Sequence, residues 1–118
     1  MKIVDKAEFY ALPEGTLYSD YEPFIFSGLK IKQRTIYSEG KPIDFAYECL
    51  IGNVESDSSN QFFDILYKAK KENASFKLDF DCCERDGLYD ENQMFAVYEK
   101  EDLDGLISKL NSIRSTCK

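Results

Sequence analysis

Two facing runs of alternating residues limit most sharply what this chain can become. From Leu29 the period is two: Leu29, Ile31, Gln33, Thr35 and Tyr37 share one face, and Lys30, Lys32, Arg34 and Ile36 the other. Ile43 to Ile51 answers it, with Ile43, Phe45, Tyr47, Cys49 and Ile51 on one side and Asp44, Ala46, Glu48 and Leu50 on the other. Ser38-Glu39-Gly40-Lys41-Pro42 between them reads as a hairpin loop. Pairing Tyr37 with Ile43 puts both apolar stripes on one face and sets Lys32 opposite Glu48. The cationic stripe Lys30, Lys32, Arg34 is then matched by Asp44 and Glu48, so cross-strand pairing accounts for it without a phosphate ligand.

The remaining segments supply what covers such a sheet. Asp5 with Glu8 three residues on has capping-box spacing and predicts a short opening helix, stopped by Pro13. Thr16–Ser19 and Pro23–Ser27 are β-prone pieces separated by Asp20-Tyr21-Glu22. Asp57-Ser58-Ser59-Asn60 offers N-caps ahead of Phe62, Phe63, Leu66 and Ala69 at helical spacing, with Lys68, Lys70 and Lys71 complementing the helix end. Phe76 to Cys82 alternates as a half-buried strand, and Met94 to Tyr98 reads as a buried one. A last helix carries Leu103, Leu106, Ile107, Leu110 and Ile113 on one stripe. The order predicts an α+β fold: an antiparallel sheet of about five to six strands flanked by two main helices, with a short N-terminal helix, as one domain over 1–118.

Composition excludes chemistry rather than proposing it. The 118 residues include no His and no Trp, which removes His-ligated metal sites and every Ser-His-Asp or Cys-His arrangement. Cys49, Cys82, Cys83 and Cys117 fall in no C-x-x-C spacing and read as reduced thiols. A thiolate nucleophile would need a cationic activator, and only Arg85 lies near Cys82 and Cys83. Asp79-x-Asp81 opens like a calcium loop, but Cys83 and Glu84 stand where a ligand and the turn glycine belong, so no metal and no cofactor are expected. The six glycines are scattered and build no phosphate loop. Charge at Asp5 and Lys6 interrupts any secretory core, no run reaches membrane-spanning length, and a cytoplasmic protein is expected.

With 15 Lys and Arg against 22 Asp and Glu, the net charge is −7, a poor match to nucleic acid. That charge is local. Asp79 to Asp104 holds ten acids against Arg85 and Lys100, net −8, while the other 92 residues are net +1. Within this segment Asp79, Asp81, Glu84, Arg85, Asp86, Asp90 and Glu91 are the candidate binding residues. Glu101, Asp102 and Asp104 are explained by the helix dipole. Asp86-Gly87 favours a tight turn, leaving Arg85 either in a salt bridge with Asp86 and Asp90 or projecting as an anchor. Among the 17 aromatics, Tyr10, Tyr18, Tyr21, Tyr37 and Tyr89 fall near turns or strand ends, where tyrosines serve interfaces.

Three stretches, Phe9 with Ala11-Leu12-Pro13-Glu14-Gly15-Thr16-Leu17-Tyr18 and Tyr21-x-Pro23, Arg85-Asp86-Gly87-x-Tyr89-Asp90, and Phe95-x-Val97-Tyr98-Glu99 with Asp102, together resemble small accessory proteins of phages, prophages and other mobile elements. The resemblance implies stoichiometric action, as an inhibitor of host restriction or CRISPR machinery, a host-takeover adaptor or a nucleotide sponge. It assigns no site residue. The expectation is therefore a non-enzymatic protein whose acidic region engages a basic host protein surface, with no direct nucleic-acid and no membrane contact. The alternative is a small-ligand domain in which Arg85 or the Lys30, Lys32, Arg34 face holds a nucleotide-type anion.

Overall fold

In the computed structural model, which describes residues 1–117, Asp5 acts as the N-cap that its spacing predicts. Its side chain accepts from the Glu8 amide at 2.8 Å and opens helix α1 (Lys6–Tyr10). Strand β1 (Lys2–Asp5), not among the predicted elements, precedes it. Strand β2 (Leu17–Glu22) runs straight through Asp20-Tyr21-Glu22, and after a turn at Pro23-Phe24 strand β3 (Ile25–Ser38) continues unbroken into the predicted hairpin with β4 (Lys41–Cys49). Helix α2 (Ser59–Glu72) is capped by Ser58, whose hydroxyl accepts from Gln61 N at 3.1 Å. Strands β5 (Cys83–Arg85) and β6 (Met94–Val97) and helix α3 (Lys100–Arg114) complete the chain. The fold is α+β, a six-stranded antiparallel sheet in the order β1-β6-β2-β3-β4-β5 with three helices.

The hairpin register agrees with expectation only at its centre, where Thr35 faces Phe45 and Ile36 faces Asp44. Two bulges bound that centre. Gln33 and Arg34 together oppose Ala46, and Ile43 is an extra residue between the Asp44 and Pro42 pairs. Lys32 is thereby set opposite Tyr47, and Ile31 opposite Glu48, correcting the expected Lys32–Glu48 pair. A third bulge places Gly28 and Leu29 against Ser19, with Gly28 at φ +76°, a conformation that favours glycine.

These shifts decide which face is the core. Phe9 from α1 stacks on Phe95 with centroids 3.8 Å apart and meets Tyr18 and Phe45 edge-on at 4.7 and 4.9 Å. Val4 and Val97 close the cluster. The Lys32 ammonium lies 5.9 Å from the Phe9 ring centroid on this same face, and the residue is 1% exposed. It donates to Thr35 Oγ1 at 2.8 Å and to the Gln33 carbonyl at 3.2 Å, while Thr35 donates to the Tyr10 carbonyl. Of the stripe expected to be solvated and charge-paired, Lys32 therefore turns inward while Arg34 stays exposed, because the bulge at Gln33–Arg34 shifts the alternation between them.

A second departure is Phe76–Cys82, which forms no strand. It touches Val54 through one isolated bridge at Leu78, and Phe76, Leu78 and Phe80 remain exposed. Helices α2 and α3 contribute no buried residue and make no extensive contact with the sheet.

Candidate functional site

The organising residue of the acidic region lies outside it, on β4. Asp44 is 1% exposed, and its Oδ2 accepts from Arg85 Nε at 2.9 Å and forms an ion pair with Nη2 at 2.9 Å, while its Oδ1 accepts from Gly87 N at 3.0 Å. Burial works to raise its pKa, but the amides of Gly87 and Phe45 and the Arg85 guanidinium outweigh it and hold the carboxyl below its ordinary range. Gly87, at φ +64°, turns its amide to this carboxylate as the Asp-Gly pair suggests. Arg85 Nη2 also donates to Tyr89 Oη at 3.0 Å, and Tyr89 holds a left-handed φ of +53°. A chain from Asp44 through Arg85 to Tyr89 thus fixes the start of the loop leaving β5. The internal salt bridge is present, but its acid is Asp44 rather than Asp86 or Asp90.

Asp86 instead takes the Gln93 amide at 3.2 Å, and burial pushes its carboxyl up despite that bond and the nearby Lys6 charge. The loop then crosses from the β5 edge toward β6. The buried Lys6 ammonium holds it by donating to the Asp90 carbonyl at 3.0 Å. Successive loop residues line two clefts. Tyr89 and Glu91 line one of about 560 Å³ with Lys6, Tyr10, Pro42 and the bulged Ile43. Leu88, Asp90 and Asn92 line another of about 420 Å³ against the β2–β3 hairpin.

The candidate acids do not form one patch. Asp79 and Asp81 precede β5 in a turn closed by Asp81 N on Asp79 Oδ1 at 2.8 Å, not on the strand expected over Phe76–Cys82. Glu84 lies on β5, the outermost strand, and accepts from Tyr47 Oη at 3.1 Å. Burial and that carboxylate push the Tyr47 hydroxyl up to about 12. Burial first, then Glu84, also raises the Cys82 thiol, opposite to what an activated nucleophile needs. Asp90 and Glu91 are carried by the loop toward α1. Glu99 and Asp102 lie beyond β6, next to β1, where both accept from the Met1 amine. Glu84 and Arg85 thus lie on the edge strand with Asp79 and Asp81 in the turn just before it, Asp86, Asp90 and Glu91 follow on the loop, and the α3 acids lie apart.

Among the described residues, none of Asp79, Asp81, Glu84, Asp90 and Glu91 has an ion-pair partner. Of the bases expected for an anion site, Lys30 is paired with Asp20 at 2.5 Å, Lys32 lies in the core and Arg85 is held by Asp44, while Arg34 is exposed and has no ion-pair partner among the described residues. Sequence reasoning missed Asp44, Lys6 and Gln93; the buried residues Asp44 and Lys6 each sit within a charged alternation or a helix start that reads as solvated. Among the described residues no helix is long and apolar enough to cross a membrane, and no group of three acids or cysteines is placed to hold a metal ion. Comparison with family models, curated proteins and solved structures finds no match.

Proposed function

We propose that the chain is a non-enzymatic binding protein of a mobile element, acting stoichiometrically in the host cytoplasm on a protein with a basic, nucleic-acid-handling surface. The observation that carries this reading is the line of unpaired carboxylates, Asp79, Asp81 and Glu84 at the β5 edge and Asp90 and Glu91 on the crossing loop. Arg85, the base on the β5 edge itself, is paired from within by Asp44, which leaves Asp79, Asp81 and Glu84 to set a negative local charge there. Such a surface steers a basic partner and weakens as salt rises, since exposed charges are screened over about 8 Å at physiological ionic strength.

The test is capture of host proteins on the tagged chain at low and near-physiological salt. The native chain retains a basic nucleic-acid-handling protein more strongly at low salt. A variant with Asp79, Asp81, Asp90 and Glu91 each changed to Lys releases it. Equal capture by both forms overturns the reading.

A further inference from the structure

Two of the cysteines meet across the β4–β5 edge. Ala46 pairs with Arg85, Tyr47 with Glu84 and Glu48 with Cys83, so the register carried one step further sets Cys82 opposite Cys49. The Phe45 carbonyl accepts from Asp86 N at 3.0 Å, and by alternation Phe45–Asp86, Tyr47–Glu84 and Cys49–Cys82 are pairs of one kind on one face of the sheet. Side chains on that face agree: Tyr47 Oη donates to Glu84 at 3.1 Å, and Cys82 Sγ donates to the same carboxylate at 3.7 Å. Cys83 falls on the other face, with Glu48.

Opposed residues of this kind lie about 5.5 Å apart at Cα, inside the span of about 4.4–6.8 Å that a disulfide bridges. Both thiols are free and half-buried, so a small oxidant reaches them. Cys49 Sγ donates to the Ile51 carbonyl and Cys82 Sγ to Glu84, weak thiol bonds that a turn about χ1 gives up.

The pair also stands at a neck. Past it the two strands part, and they rejoin at the Val54–Leu78 bridge, with Glu55 N on the Lys77 carbonyl and Asp79 N on the Asn53 carbonyl, both at 2.9 Å. That second register is offset by one residue from the β4–β5 register. Helix α2, which makes no extensive contact with the sheet, hangs from this junction.

We propose that Cys49 and Cys82 form a reversible disulfide that clasps this neck. The oxidant is a small-molecule disulfide of the glutathione type. One cysteine thiolate attacks it and expels one glutathione thiolate, leaving a mixed disulfide. The second cysteine thiolate attacks the protein sulfur of that bond and expels the other. One S–S bond forms as one breaks, the two protein thiols give up their protons, and the oxidant is reduced to two thiols. Burial and Glu84 hold the Cys82 thiol protonated, so the exchange quickens as pH rises. The site stands independently of the basic-partner reading.

The experiment equilibrates the full chain in buffers of rising glutathione disulfide to glutathione ratio and follows intact mass. The native chain and Cys83→Ser each lose two hydrogens, about 2 Da, and regain them with dithiothreitol. Cys49→Ser and Cys82→Ser carry at most a glutathione adduct. Tandem mass spectrometry of oxidised Cys83→Ser, which needs neither thiol of the pair replaced, joins Cys49 to Cys82. Because the bond closes about 34 residues of chain into a loop, the oxidised form melts roughly 10 °C above the reduced one. Loss of two hydrogens in Cys49→Ser, a link from Cys82 to Cys83 or Cys117, or no loss at any ratio overturns the site. A linked chain that melts with the reduced one overturns the clasp.

Discussion

Asp44 carries more of the region's order than any acid that the charge count singles out. Its carboxylate joins β4 to Arg85 and Gly87, and Asp44→Asn keeps the shape while removing the charge. We expect a loss of about 2 kcal/mol, because Arg85 is half exposed and water compensates part of the broken pair. In a chain of this length that is a fall in Tm of about 5–10 °C. The folded carboxyl titrates below its ordinary value, so its contribution is complete above that value and disappears as pH falls through the folded pKa. Urea midpoints for native and variant chains, measured from neutral pH downward, should therefore converge in acid; a constant gap would show that the charge is not what stabilises. None of this is legible locally, since Arg85 finds its acid 41 residues upstream.

Among the elements, those decided by near neighbours were readable and those decided by partners were not. Asp5 and Ser58 cap their helices because an N-cap depends on the next three residues. The centre of the β3–β4 hairpin follows from its alternation. Phe76–Cys82 has the same alternation and stays out of the sheet, since period two states which residues share a face and nothing about whether a strand is there to meet them. The bulges are equally silent, and the one at Gln33–Arg34 puts Lys32 inside with no carboxylate in ion-pair range among the described residues. Burial lowers its pKa, so the unfolded chain holds that proton more tightly and this residue opposes folding most below its folded pKa. Lys32→Met should raise stability by about 1 kcal/mol at neutral pH, an advantage that shrinks as pH climbs toward the ordinary lysine value. Denaturant unfolding from pH 7 upward checks it, and a destabilised variant would mean that the bonds to Thr35 and Gln33 outweigh the buried charge.

The whole molecule is uneven in how firmly it is held. Its radius of gyration is 16.8 Å and its extents are 50 × 36 × 25 Å, against about 13–14 Å for a well-rounded domain of this size. One aromatic cluster between α1 and the sheet supplies the core, while Phe63 and Tyr67 of α2 and Ile107, Leu110 and Ile113 of α3 remain exposed. The 3.6 period of α2 and α3 reveals two amphipathic helices, but it cannot say that their apolar stripes are only partly covered. Hydrogen exchange should rank accordingly: amides of β2, β3 and β6 exchange only with global unfolding, and those of α2 at least a hundredfold faster. Equal protection would mean that α2 belongs to the same cooperative unit.

The paired irregularities of the β3–β4 hairpin also determine where its length is free to change. Lys32 and Thr35 both face α1 although they are three apart, so one of Gln33 and Arg34 is surplus to the ladder, as Ile43 is on the opposite strand. Loss of a single residue at either place leaves every other partner where it is, whereas loss of one at Ile31 or Phe45 would turn a strand over. Insertions and deletions among descendants of this sequence should gather at those two points, and the one at Ile43 would remodel the cleft beside α1 without disturbing the sheet that carries it.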